Sequence, residues 1–423
     1  AGRYATGSQN TFVGGNAGKG GTTSAPFSSG QYNVALGFEA LTGFTTGYQN
    51  VAIGYEAGED ITTGYYNTLV GYEAGENLTT GVSNVFMGYE AGAGKIASTG
   101  AIAIGYRAGL PSAGSYDVFV GYEAGAQTKG GGNVGIGRQA GRGSNGVSEY
   151  GGTSGSFNTS VGHYAGRYLL GSNNANFGYQ AGYYATGSYN TFVGKDAGKG
   201  GTTSAPFSSG TDQVAMGYHA LTAFTTGTRN IAIGSQAAYR LSTGNYNVAI
   251  GDTSLAGLVT GGHNVVIGYY AGGVITSGES NIAIGKNSLA YNNTADDNIA
   301  IGQYASHRTG QFKAANNTIA IGRYTGYYNQ GSHNVFMGYY AGHGSSANAQ
   351  SPGYENTGIG SSALQSFISG SQNTAVGRWA LLSNTNGSNS TALGQQAGAY
   401  TTGSYNTFVG SEAGKGGTTS APF

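Results

Sequence analysis

No cysteine occurs among the 423 residues, so no disulfide framework holds this chain and cysteine usage says nothing about its redox compartment. Proline is almost as scarce, at 5 residues, too few for a Pro/Gly linker. Charged residues make up 9% of the chain and cancel, 18 basic against 18 acidic. Without a run of like charge there is nothing to attract a phosphate backbone or an anionic bilayer, and nucleic-acid partners are not expected. No apolar stretch approaches the roughly 20 residues of a membrane-spanning helix, so insertion of this segment into a membrane is not expected either. The chain opens Ala1-Gly2-Arg3, with neither an initiator methionine nor a signal peptide, and reads as a segment of a longer fibre.

What is abundant is glycine, at 82 residues, without the every-third-residue period of collagen. Hydrophobic residues make up 38%, and 33 tyrosines dominate the aromatics, enough to bury if they recur regularly. They do recur. Asn50-Val-Ala-Ile-Gly54 is followed by Tyr-Glu-Ala-Gly and then by Asn67-Thr-Leu-Val-Gly71. Counting from the asparagine, 23 copies run from Asn10 to Asn406, and 17 of the 22 spacings are 16 or 17 residues. The fourth residue after this anchor is glycine in all 23 copies, among them Gly14, Gly54, Gly71, Gly105, Gly234, Gly302 and Gly410. Alanine stands seventh in 20 copies, and glycine stands three before the anchor in 20.

A short β-branched run bounded by Gly and Asn is a strand signature. Two glycines per unit mark two corners, where a positive φ or a close approach excludes a Cβ. The expectation is an all-β fold, a β-solenoid (β-roll or β-helix) of about 23 stacked coils of 16–17 residues, with two short strands per coil and loop insertions at one corner. Stacking places Asn50, Asn67, Asn84, Asn230, Asn247 and Asn264 in amide ladders. It also places Ile53, Val70, Met87 and Ile104 in an apolar column, expected to line the interior. The residue between, apolar as well (Ala52, Ala103, Phe12, Phe86, Phe119), points to the opposite face. A strand apolar on both faces is covered on both, so this second face is expected to meet another chain.

The whole of 1–423 reads as one continuous repeat array, with a longer repeat over it of approximately 10–189 and 190–405. The insertion Lys19–Gly30 recurs verbatim at Lys199–Gly210, and others fall at 142–156, 308–316 and 343–354. Such insertions protrude and are candidates for specific contacts, Lys19, Phe27, Lys199 and Phe207 in particular.

The motif Asn50-Val-Ala-Ile-Gly54, with Asn230-Ile-Ala-Ile-Gly234, Asn247-Val-Ala-Ile-Gly251 and Asn298-Ile-Ala-Ile-Gly302, resembles the head repeat of YadA-like trimeric autotransporter adhesins. It is similar also to repeats of long phage tail-fibre proteins that end in a self-cleaving chaperone domain. The resemblance implies a β-roll packed as a trimer of like chains, in an extracellular, cell-surface or virion setting.

No chemistry-bearing constellation repeats. The six histidines take unrelated coil positions, no metal-ligand spacing occurs, and Lys19 and Lys199 lack the upstream glycine and the helix of a phosphate loop. No catalytic, metal or cofactor site is expected, and the chain is not expected to be an enzyme. A polysaccharide-acting β-helix is the weakest alternative. Glu56, Glu73, Glu90 and Glu123 share one column, expected to be a solvated face. Tyr55, Tyr72, Tyr89, Tyr106 and Tyr122 share the next, expected to stack, with an aromatic strip for glycans or a neighbouring fibre as the functional alternative. The leading expectation is the shaft of an extracellular fibre or surface adhesin, a spacer that contacts glycans or a cell-surface receptor. A phage tail-fibre shaft is the alternative.

Overall fold

The computed structural model describes residues 1–21, 27–111, 114–143, 155–168, 170–201, 208–257, 260–291, 293–308, 315–344 and 351–416. Among the described residues the fold is all-β, a β-solenoid of 23 parallel strands of three residues each. Part of each insertion, Phe207 included, lies outside the described residues. The chain divides into two compact units, Ala1–Gln213 and Val214–Phe423. In the first, the strands run from β1 (Thr11–Val13) through β3 (Val51–Ile53), β4 (Thr68–Val70), β5 (Val85–Met87), β6 (Ile102–Ile104) and β7 (Val118–Val120) to β11 (Thr191–Val193). In the second they run from β12 (Val214–Met216) to β23 (Thr407–Val409).

Within each unit a strand pairs with the one a coil earlier and the one a coil later, in register. Val51, Ala52 and Ile53 lie opposite Thr68, Leu69 and Val70, and these lie opposite Val85, Phe86 and Met87. Each coil contributes one strand, not the two expected. The other side is held by single bridges, such as Tyr65 with Val82 and Val82 with Thr99. Left-handed residues at recurring coil positions account for this. In the coil of Asn50 they are Glu56 (φ 51°), Gly58 (φ 60°) and Tyr66 (φ 59°), and each interrupts an extended run. The coils remain hydrogen-bonded there through Gly58 N–H to Ala74 C=O (2.9 Å) and Thr62 N–H to Thr79 C=O (2.9 Å).

The two faces of the strand are reversed from the expectation. Ala52, Leu69, Phe86, Ala103 and Phe119 are fully buried, whereas Met87 and Ile104 are exposed and Val51 and Ile53 half-exposed. The interior also holds the alanine column (Ala57, Ala74, Ala91, Ala108) and the column of Phe44, Ile61 and Leu78. The inward strand position takes alanine in many coils and a larger side chain, such as Leu69, Phe86, Phe119 or Val266, in others.

The glycine after each strand has φ between 124° and 140° at Gly14, Gly54, Gly71, Gly105, Gly234, Gly302 and Gly410. At Gly105 and Gly234 a Cβ would lie 2.6 Å from the carbonyl oxygen of the glycine one coil on. The asparagine column forms the ladder expected of it. Asn67 Nδ2 donates to Asn50 Oδ1 (3.0 Å) and to Gly81 C=O (2.8 Å), and Asn84 Nδ2 donates to Asn67 Oδ1 (2.9 Å). In the second unit Asn247 Nδ2 donates to Asn230 Oδ1 (3.1 Å), and Asn264 Nδ2 to Asn247 Oδ1 (3.0 Å).

Candidate contact surface

One coil face of the first unit carries an aromatic stack. Phe38, Tyr55, Tyr72, Tyr89, Tyr106 and Tyr122 follow one another at ring-centroid separations of 5.5, 5.0, 4.9, 5.2 and 5.0 Å. The rings are near parallel, within 15°. Each follows the corner glycine, so the in-register pairing of the strands sets the spacing of the rings. The stack extends past the tyrosines expected to form it. Phe38 begins it, and the guanidinium of Arg138 covers Tyr122 at 5.6 Å. Arg138 occupies the same coil position as the tyrosines, and only a column-by-column reading that includes cations would have found it.

Stacking consumes the ring faces and leaves the hydroxyl edges to solvent. Sugar rings that dock flat on an aromatic face have no free face here along the run. The strip instead offers a row of hydroxyls about one strand spacing apart. Beside it run the carboxylates of Glu39, Glu56, Glu73, Glu90 and Glu123. A hydrogen bond to Glu56 pushes the Tyr55 hydroxyl up to about 12, and one to Glu73 pushes that of Tyr72 up to about 12. A second acidic column, Glu59 and Glu76, lies half-buried beside the first. Desolvation, then repulsion from Glu56 and Glu73 respectively, raises both above the ordinary carboxylate value. Arg107 interrupts the acidic column between Glu90 and Glu123; it holds Glu90 with Nε at 2.8 Å from Oε2 and keeps that carboxyl below its usual range.

Tyr48 and Tyr65 stack more closely still, at 4.7 Å and 5°, with Tyr66 edge-on to both. Tyr48 also borders an open groove of about 390 Å³ with Ser29, Gln31, Tyr32, Thr46 and Gln49. The two lysines of the insertions are placed apart from the tyrosine strip. Lys19 is half-buried, and Lys199 pairs with Asp196 at 3.3 Å. Phe27 is exposed and stacks on Tyr4 at 6.0 Å.

The other continuous surface is the outward face of the strands. Val13, Leu36, Met87, Ile104, Ile136 and Phe177 in the first unit are exposed, each from the third residue of its strand. In the second unit Met216, Ile233, Met337, Ile359 and Leu393 hold the same position, and all are exposed. Aligned coil over coil, they form an apolar strip on each unit. Among the described residues no group of three or more His, Asp or Glu side chains could hold a metal ion. No helix among them is long and apolar enough to cross a membrane. No family model matches the chain, and no curated protein is similar to it.

Proposed function

We propose that this chain is the shaft of an extracellular fibre or surface adhesin, a structural spacer and not an enzyme. In this role it assembles with further copies of itself through the outward strand face. The observation that carries the reading is the strip of β-branched and other apolar residues on the solvent side of every strand. A three-residue strand already buries its middle side chain inside the coil, so the stack does not need large apolar residues on its outside. Soluble monomers rarely leave so extended an apolar patch uncovered. A second copy presents an identical strip at an identical repeat, which suits closed association about an axis parallel to the strip. The hydroxyl and carboxylate edge formed by Tyr55 through Tyr122 and Glu56 through Glu123 lies on a different coil position from the strand, and serves in this reading as the surface offered to cell-surface glycans.

Sedimentation of the purified chain tests the reading. The expected result is a discrete oligomer, with Ile53→Lys and Ile104→Lys together shifting it toward monomer while the far-ultraviolet spectrum is kept. A monomer at all concentrations overturns the self-assembly. New reducing ends on a glycan panel incubated with the chain would overturn the non-catalytic role.

A further inference from the structure

Three residues depart from the repeat together, in the interior of the first unit between β5 and β7. Lys95 occupies the column that Phe44, Ile61 and Leu78 fill in earlier coils, and is as buried as they are, at 1% exposure. Ala101 stands where most coils have the ladder asparagine, so no amide fills that rung. Asp117 stands at the next rung, also fully buried. The Lys95 Nζ lies 3.5 Å from Asp117 Oδ2, with both side chains wholly enclosed, and donates to Gly114 C=O at 3.0 Å. Asp117 Oδ1 in turn accepts from the backbone N–H of Asn133 at 3.0 Å and from its Nδ2 at 3.4 Å.

An enclosed ion pair of this kind contributes little to stability compared with the leucine and asparagines that other coils place at these positions. Its geometry serves a reaction better. We propose that Lys95 and Asp117 condense to an amide, covalently joining the coil that begins at Asn84 to the coil that begins at Asp117. The ion pair first exchanges one proton, from the ammonium to the carboxylate, to give an amine and a carboxylic acid. A dry interior favours that neutral form. Burial accordingly pushes Lys95 down and Asp117 up from their ordinary values, against their mutual attraction.

The amine lone pair then attacks Cγ of Asp117 and forms the C–N bond. Negative charge collects on Oδ1, where the two N–H groups of Asn133 already point and stabilise it as it develops. Oδ2 leaves with its own proton and one from the nitrogen, as a single water molecule. No oxidant, nucleotide or metal is needed. Enclosure of both groups makes the encounter intramolecular. The product amide retains an N–H for Gly114 and a carbonyl for Asn133, while both buried charges disappear.

Intact mass of the full-length denatured chain tests the proposal. The expected mass is lower than the sequence mass by one water, and digestion yields a branched peptide joining the segments that contain Lys95 and Asp117. Lys95→Leu alone, and Lys95→Leu with Asp117→Asn, restore residues that other coils carry at these positions, and each is expected at its full sequence mass. A wild-type chain that is folded by circular dichroism and keeps its full mass after prolonged incubation overturns the proposal. So does a lost water that maps to any other pair, or a loss of ammonia in place of water.

Discussion

Phe86 and Gly92 share one volume. The phenyl ring of Phe86 fills the interior so far that a Cβ on Gly92 would lie 2.5 Å from its Cδ2. Wherever the middle residue of a strand is phenylalanine (Phe12, Phe86, Phe119, Phe192, Phe336, Phe408), the residue six further on is glycine. Where that later residue is leucine (Leu41, Leu221, Leu255, Leu289, Leu364, Leu381), the strand residue is alanine or glycine. The backbone is alike in both cases. Gly92 has φ 65° and Leu41 φ 52°, and each donates its N–H to the alanine carbonyl of the next coil, at 2.9 and 3.0 Å.

The exchange makes a rescue experiment. Phe86→Ala alone empties a packed interior and is expected to cost about 3–5 kcal/mol. Gly92→Leu alone overfills it and is expected to cost about 1–3 kcal/mol or more. Together the two rebuild the arrangement of Ala35 and Leu41, and the double variant is expected to be more stable than either single one. Chemical denaturation of the three variants checks this; additive losses would mean that the two sites do not share space.

The same pair shows where sequence reading stops. Period, corner glycines and the asparagine column are legible because each is one residue type recurring at one coil position. The inward face is not legible from Val51-Ala52-Ile53, since a three-residue strand that is apolar at every position has no polar side to mark solvent. The information lies six residues away, in the Phe/Gly and Ala/Leu exchange. The left-handed positions were hidden for another reason. Glu56, Glu73 and Tyr66 carry no preference for positive φ, and hydrogen bonds to the neighbouring coil hold them there, as in Glu56 N–H to Phe38 C=O at 2.9 Å. Lys95 was missed because a lone lysine between Gly94 and Ile96 gives no sign of standing in an interior column.

Gly54 combines two constraints. Its φ is 136°, a region almost closed to other residues, and an added Cβ would run into the carbonyl oxygen of Gly71 in the next coil. Gly54→Ala is expected to cost about 3 kcal/mol or more, because backbone and not a flexible side chain must move. By contrast Gly58 faces the side chains of Leu69 and Ile61 at φ 60°, and Gly58→Ala is expected to be milder. A melting comparison of the two variants tests this ordering.

The Asn67 side chain makes four hydrogen bonds to three neighbours. Besides its two amide donations, its Oδ1 accepts from the backbone N–H of Asn84 at 3.0 Å and from Asn84 Nδ2 at 2.9 Å. Asn67→Ala strands the buried Asn84 N–H and the Gly81 carbonyl, and is expected to cost about 2–4 kcal/mol. Asn67→Ser is expected to cost less, since Ser390 already holds a rung of this column and accepts from Asn406 N–H at 3.2 Å. Hydrogen exchange offers a local readout. The Asn84 amide should lose protection in Asn67→Ala and keep most of it in Asn67→Ser.

Glu59 and Glu76 oppose folding at neutral pH. Both carboxyls titrate above the ordinary value of 4.5, chiefly because folding strips them of water and then because other acids surround them. A carboxyl raised in the folded state binds its proton more readily there than in the unfolded chain. The folded state is therefore penalised at pH above the raised value and regains that stability as pH falls through it toward 4.5. Glu90 acts in the opposite sense, since Arg107 lowers it and its contribution is lost only at more acid pH. The Glu59→Gln and Glu76→Gln double variant is thus expected to melt higher than wild type at neutral pH, with the gap narrowing under mild acidification and in high salt. Equal melting temperatures at neutral pH and low salt would show that solvent already screens the strip.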